Sequence, residues 1–437
     1  MIKRYWVACI VGLLLVLSLV GPALAGDPEW PGSGALVLLS ANAQRPDMSL
    51  SDLAVAAVWS GTSPKGIYLR QRALIAETWG TPQTVASGGQ DYWQPQVAYA
   101  GATPVAVWLQ GAYTDPFTAT VMVRDMTSTP LAPVAAISDL YVFDSAVRME
   151  ISAANVRHLI VGGNRNSEVN LRTSNDLYYT FKRPGDVTWA ATQVVITRTQ
   201  VVTPTVGSIK WVDMALSADG DTVHVVWEQH ASIQGPGAMR TIWYLRGTWN
   251  GNGVTWGTPQ RLSTADRFSV RPSIAVDDTN TAHVVWGQVS YLAAPGLGYI
   301  RYRQVTPGGG LSAEGYVDDR PVQINAQLPT MTYPVIATGG ETVCVAWHGY
   351  RLEANAAEEI YLRCATERGQ VWNTPVFNAA NTSAELSIFP QVACATNGTV
   401  HLVWEELVLG TKQEVVYRAG RAVLHSIMLP LVMRGYP

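Results

Sequence analysis

A five-residue pattern that returns seven times constrains this chain more than any other feature. Val-His-Val-Val-Trp at 223–227 recurs as Ala-His-Val-Val-Trp at 282–286, Val-Cys-Val-Ala-Trp at 343–347 and Val-His-Leu-Val-Trp at 400–404. Earlier copies stand at 55–59 and 104–108, and a copy at 157–161 has lost its Trp. The intervals are roughly 50 to 65 residues, a period that belongs to propellers and solenoids. Upstream of each copy lies an apolar stretch, often opened by proline as at Pro272 and Pro390, followed by a Gly/Asn/Asp turn. Downstream comes an Ile-Tyr-Leu-Arg-like segment at 67–70 and 360–363, with variants at 121–124, 243–246, 300–303 and 415–418. A Trp-x-x-Pro segment then follows at Trp79, Trp256 and Trp372. Four short β-branched and aromatic segments bounded by turn residues read as four antiparallel strands, the content of one propeller blade.

The expected fold is therefore all-β, a seven-bladed β-propeller of four-stranded antiparallel blades over residues 30–420. The seventh copy stops after its third strand at Arg418, while the run Ala35–Ser40 precedes the first copy with nothing to pair against. Letting 34–40 complete the last blade closes the ring with an N-terminal strand and removes an exposed edge.

Ahead of the repeats, Lys3 and Arg4 precede an apolar run from Trp6 to Val20 and small residues at Ala23 and Ala25. This pattern predicts a secretory signal peptide over 1–25. Fifteen apolar residues make about 22 Å of helix, short of a ~30 Å hydrocarbon core. The mature chain is expected to be secreted, extracellular or on the cell surface, with no membrane span. Behind the repeats, the tail 421–437 carries His425-Ser-Ile-Met-Leu-Pro-Leu-Val-Met-Arg434. It resembles tails of exported bacterial proteins and reads equally as a sorting or attachment segment and as a flap packed on the ring.

With 48% apolar and 14% charged residues the chain is no disordered polymer. A net charge of −3 gives no basic surplus for nucleic acid or an anionic membrane. Four cysteines are too few for a disulfide scaffold. Cys344 and Cys364 fall on the second and third strands of one blade, where they either pair or pack as small apolar residues. Cys394 is expected to be free and buried.

Thr-Trp at 78–79, 188–189 and 255–256, with Gly253 before the last, resembles the Asp box of sialidase-like propellers, Ser-x-Asp-x-Gly-x-Thr-Trp between third and fourth strands. The Ser and Asp are missing from all three, and Trp249 and Gly251 hold their places in the fourth copy. In that family the boxes stabilise turns remote from catalysis, so the resemblance implies a fold more than an activity. The Phe/Tyr-Arg-Ile-Pro marker of that family is absent, and Tyr417-Arg418, the nearest match, falls on the repeated third strand.

The repeat also accounts for most of the charged residues. Arg70, Arg124, Arg246, Arg303, Arg363 and Arg418 end third strands, with Arg172 or Lys182 in the third copy, and are expected to cap strands or pair across blades. His158, His224, His283 and His401 share one position and are expected to be structural rather than metal ligands. Asp219, Asp221, Asp277 and Asp278 align with hairpin turns.

What the repeat leaves unexplained lies on the face that receives the inter-blade links and the loops after the second strands. The binding candidates there are Tyr92, Trp93, Arg148, Trp211, Asp213, Glu228, His230, Arg267, Arg271, His348, Arg351 and Glu405. Aromatics beside carboxylates and arginines suit carbohydrate faces and polar hydrogen bonds. The expectation is a monomeric, non-catalytic binding module for extracellular glycan or protein, needing no cofactor and no metal. The alternatives are a divergent sialidase-like glycoside hydrolase, with Glu228 and Glu405 as acid and base, and a cell-envelope scaffold.

Overall fold

The computed structural model describes residues 37–421 apart from 77, 113–117, 128–131, 142–146, 165–175, 198–207, 231–239, 265–267, 291–295, 325–332, 352–357, 373, 375, 381–385 and 409–411. The expected signal peptide, the tail beyond 421, Arg172 and Arg267 lie outside the described residues.

Seven antiparallel blades follow one another in chain order. Blade 1 runs Ala43–Leu50, Ala54–Thr62, Lys65–Ala73, Gln83–Ser87 from innermost to outer strand. Blades 2 to 6 occupy 91–141, 147–196, 208–261, 268–324 and 335–378 in the same order. Blade 7 takes its first three strands from 386–421 and its fourth from Val37–Ala41, which pairs antiparallel with Lys412–Arg421 through Val37 opposite Tyr417. The N-terminal strand thus closes the ring as the unpaired run predicts. The outer strand of blade 5 also touches the second strand of blade 6 at Val322–Arg351 and Gln323–Tyr350. A 3-10 turn at Glu367–Gly369 is the helical element among the described residues.

The apolar residues that alternate along each strand have no single centre to fill. Each strand has two faces, and each face meets a neighbouring blade. A separate apolar cluster accordingly fills every interface around the ring. The repeated tryptophans, Trp59, Trp108, Trp227, Trp286, Trp347 and Trp404, are its largest fully buried side chains.

The repeated histidines belong to this interface chemistry. Nδ1 of His158, His224, His283 and His401 lies 2.6–2.8 Å from the hydroxyl of Tyr179, Tyr244, Tyr302 and Tyr417 on the third strand of the same blade. The Trp of the following blade stands edge-on to three of these tyrosines: Trp256 on Tyr179, Trp372 on Tyr302, and Trp79 on Tyr417, at 4.8–5.3 Å between centroids. The Thr-Trp and Trp-x-x-Pro segments are therefore packing devices between blades. Trp249, in the place of the box serine, packs on Phe181 and His158 instead of restoring an Asp-box turn.

Five of the arginines form a second repeated device. Arg70, Arg124, Arg303, Arg363 and Arg418 each sit two residues beyond the residue opposite the blade's Trp. Each reaches a carbonyl at the outer edge of the preceding blade: Leu39, Val85, Leu262, Val317 and Ala379 respectively. Two positions depart from that register. Arg246 lies opposite His224, out of that register, and donates to Pro307 of the following blade instead. In blade 3 the equivalent position is Thr180, whose hydroxyl donates to Ala190 O, while Lys182 pairs with Arg157 at the strand end.

Cys344 and Cys364 face each other in register and form a disulfide, and Cys394 is free and buried. The aspartate turns are held locally. Asp219 accepts from Ser217 and the Asp221 N–H, and Asp277 from Thr279, the Thr281 N–H and His283.

Candidate functional site

The innermost strands carry a bulge where they enter the channel, between Gln44 and Asp47, Trp93 and Gln96, Lys210 and Asp213, Val270 and Ser273, and Ile388 and Gln391. An extra residue at a bulge re-aims its side chain. Here Arg45, Gln94, Trp211, Arg271 and Phe389 adopt left-handed backbone, with φ between +49° and +53°. Four of them precede the proline that opens the repeat, as does Tyr333 in blade 6. Together with Arg148 these residues line one pocket at the upper mouth of the channel.

Inside that pocket the aromatics form a wall with arginines set into it. Tyr333 stands edge-on to Trp211 at 5.7 Å and to Phe389 at 4.6 Å. The Arg271 guanidinium lies 4.5 Å from the Trp211 ring centre and 3.1 Å from that of Tyr333, and Arg45 lies 3.7 Å from that of Phe389. Such contacts fix a guanidinium in a plane without consuming all its donors. Arg148 is held by Asp213, Nε to Oδ1 at 2.7 Å.

Side chains just past the bulges stitch three of the blades to the next. Asp47 accepts the Val97 N–H at 2.9 Å, Gln96 the Met149 N–H at 3.2 Å, and Asp213 the Ile274 N–H at 3.0 Å. Burial pushes the Asp47 carboxyl up to about 6, against the pull of Arg148 and of backbone N–H groups. Burial, with Asp213 and Asp47 nearby, pushes Glu150 up to about 8. Glu150 faces the lower mouth of the channel. The upper pocket is lined by three guanidinium groups, Arg45, Arg148 and Arg271, against the carboxyl of Asp47, with Asp213 paired to Arg148.

The two glutamates expected as acid and base are not among the residues lining this pocket and are 0% and 2% exposed. Glu228 Oε2 accepts the Arg271 N–H at 2.9 Å, and Glu405 Oε2 the Arg45 N–H at 3.0 Å. Burial raises the Glu228 carboxyl, but His230, Arg240 and the Arg271 N–H outweigh it and hold it below the ordinary range. Around Glu405 burial prevails over Arg45 and the carboxyl is raised. The difference follows from His230 Nε2, 2.5 Å from Glu228.

Of the other sequence candidates, His348 is buried behind Phe389 and accepts its N–H through Nδ1 at 3.1 Å. Tyr92 and Trp93 pack into the interfaces on either side of blade 2, away from the pocket. Arg351 contributes its backbone pairing with Val322. Arg45, Gln94, Tyr333 and Phe389 escaped sequence reasoning, although each stands immediately before a repeat-opening proline, where the signal could have been read.

Comparison with known proteins follows this geometry only as far as the fold. No protein-family model and no curated protein matches the sequence. Among solved structures the chain is similar to a protein of unknown function from Dyadobacter fermentans, at 10% identity and TM-score 0.50, over 76% of this chain and 95% of that one. It is also similar to the endosialidase of phage phi92, at 11% identity and TM-score 0.50, over 92% and 70%. The intramolecular trans-sialidase of Ruminococcus gnavus matches at 11% identity and TM-score 0.47, over 87% and 94%. These likenesses concern the propeller fold. It is a fold that sialidases share. Among the described residues no helix is long and apolar enough to cross a membrane, and no three His, Cys, Asp or Glu side chains gather as metal ligands.

Proposed function

We propose that this protein is a secreted propeller that binds an acidic extracellular glycan at the upper channel mouth without cleaving it. One observation carries the reading: Arg45, Arg148 and Arg271 share a pocket with Trp211, Tyr333 and Phe389. Guanidinium groups match carboxylate or sulfate oxygens, and aromatic rings match the apolar faces of sugar rings. Glu228 and Glu405 are buried outside the pocket lining and engaged by backbone N–H groups, which leaves them out of reach of a glycosidic oxygen.

Titration calorimetry of the chain from Gly26 onward against oligogalacturonate, sialyllactose and a neutral arabino-oligosaccharide tests this. The expected result is heat with an acidic sugar, none with the neutral one, and loss of the signal in Arg271→Ala. A second reading, hydrolysis, is favoured by Asp47, whose carboxyl sits in the same pocket at about 6, a value suited to a general acid. Release of reducing sugar that vanishes in Asp47→Asn would establish that reading instead.

A further inference from the structure

We propose that Glu228, Glu405 and His348 are positioning residues of the upper mouth, each holding the backbone of the residue that the next blade sends into the pocket. The inference rests on the binding reading above and assigns these three a role distinct from ligand contact. All three occupy one place in the repeat, directly after the buried Trp of the second strand, at Trp227, Trp404 and Trp347. Their acceptor atoms take the N–H of Arg271, Arg45 and Phe389 at 2.9, 3.0 and 3.1 Å.

Those three backbones are left-handed, at φ +51°, +53° and +52°. A non-glycine residue holds that conformation only where its surroundings impose it. Gln94 and Trp211 hold it too, at φ +50° and +49°, behind Ser60 and Gly162, so the turn belongs to the bulge and the acceptor sets where its N–H is held. A buried acceptor makes one direction of the N–H favourable, and the left-handed turn then swings the side chain into the channel. Remove the acceptor and the N–H is left buried and unpaired, so the bulge relaxes and the guanidinium or ring leaves its place.

The other blades show that the position carries no general structural demand. Ser60, Leu109, Gly162 and Gly287 occupy it elsewhere. Strong acceptors stand where the next blade delivers Arg271, Arg45 and Phe389, whereas Trp211 and Tyr333 follow Gly162 and Gly287. His348 must accept through Nδ1, which fixes its proton, when neutral, on Nε2.

Crystal structures of Glu228→Ala and Glu228→Gln, with oligogalacturonate affinity measured on both, test the assignment. In Glu228→Gln the amide oxygen replaces the carboxylate as acceptor, so Arg271 should stay left-handed between Trp211 and Tyr333. In Glu228→Ala its guanidinium should leave the Trp211 and Tyr333 rings, with affinity falling on the order of ten-fold, most of it regained in Glu228→Gln. An alanine variant whose Arg271 remains stacked between Trp211 and Tyr333 overturns the proposal, as does a glutamine variant as weak as alanine. If the unsubstituted chain binds no acidic sugar, the function reading fails, while the Arg271 conformation still decides positioning. Should Glu228→Ala not fold, Glu405→Ala and Glu405→Gln put the same question to Arg45.

Discussion

The hydroxyl of Tyr302 lies 2.7 Å from Nδ1 of His283, deep between blades 5 and 6, with the edge of Trp372 against the tyrosine ring. Removing the hydroxyl leaves a buried imidazole nitrogen without its partner, at about 1–3 kcal/mol. Tyr302→Phe should therefore lower the urea midpoint with the slope unchanged, although it removes one atom. Unaltered stability in that variant would show that the His–Tyr pair contributes nothing.

Acid should weaken the ring through the other members of this series. Burial holds His158, His224 and His401 at about 4, below the ordinary 6.5, with Arg246 adding to the effect at His224 and Arg72 at His401. Between those values the unfolded chain binds a proton that the folded chain refuses. Their contribution is thus full above pH 6.5 and is lost as pH falls toward about 4, at ~1.4 kcal/mol per pH unit for each. His224→Gln should flatten the fall of urea midpoint between pH 6.5 and 4.5, and an unchanged slope would remove His224 from this account.

Blade 5 behaves differently, because Asp277 accepts from His283 Nε2 at 3.1 Å. Burial alone would raise Asp277, but hydrogen bonds from His283, Thr279 and Thr281 hold it at about 2. A depressed carboxyl stabilises above its unfolded value near 4 and loses that stabilisation as pH falls through about 2. Asp277→Asn should leave stability at pH 2 nearly unaltered while lowering it at pH 6, which unfolding curves at the two pH values would reveal.

The architecture was legible because a repeat exposes its own register. Trp227, Trp286, Trp347 and Trp404 mark equivalent strands without any knowledge of packing, and the lone run before Ala41 announces ring closure. The pocket was legible only in part. Arg148, Trp211 and Arg271 were found as polar or aromatic residues in inter-blade links, whereas Arg45 and Phe389 were hidden. Their N–H groups meet an acceptor in another blade, Glu405 and His348, brought close by ring geometry rather than by sequence. Whether Glu228 and Glu405 face the lumen, as an acid and base must, was likewise beyond the sequence. A carboxylate beside a channel looks the same in sequence whether it faces the lumen or the neighbouring backbone.

The arginine register makes a paired prediction. Arg363 donates to Thr374 O at 3.0 Å, Trp372 O at 2.7 Å and Val317 O of blade 5. Arg246, out of register, makes one exposed contact to Pro307 O. Buried hydrogen bonds from a charged group are worth about 1.5–3 kcal/mol each, so Arg363→Ala should destabilise severely and the exposed Arg246→Ala by well under 1 kcal/mol. Arg363→Lys should not rescue, because an ammonium cannot span the divergent carbonyls that a planar fork reaches. Thermal unfolding of the three variants checks the order.

The disulfide gives a count as well as an energy. Cys344 and Cys364 close a loop with a sequence separation of 20, which in the chain-entropy account contributes ~3 kcal/mol by restricting the unfolded state. Burial meanwhile pushes the Cys394 thiol up to about 12, so at neutral pH it is neither accessible nor a thiolate able to attack the adjoining bridge. Alkylating the chain from Gly26 onward should thus add no group when it is native and one when it is denatured without reductant. Denatured and reduced, it should take three, one for each cysteine of 344, 364 and 394. A native chain that alkylates, or a denatured unreduced chain that takes three groups, would contradict the pairing. Where the count holds, adding reductant should lower the urea midpoint by the loop's contribution, and Cys344→Ala with Cys364→Ala should make the midpoint indifferent to reductant.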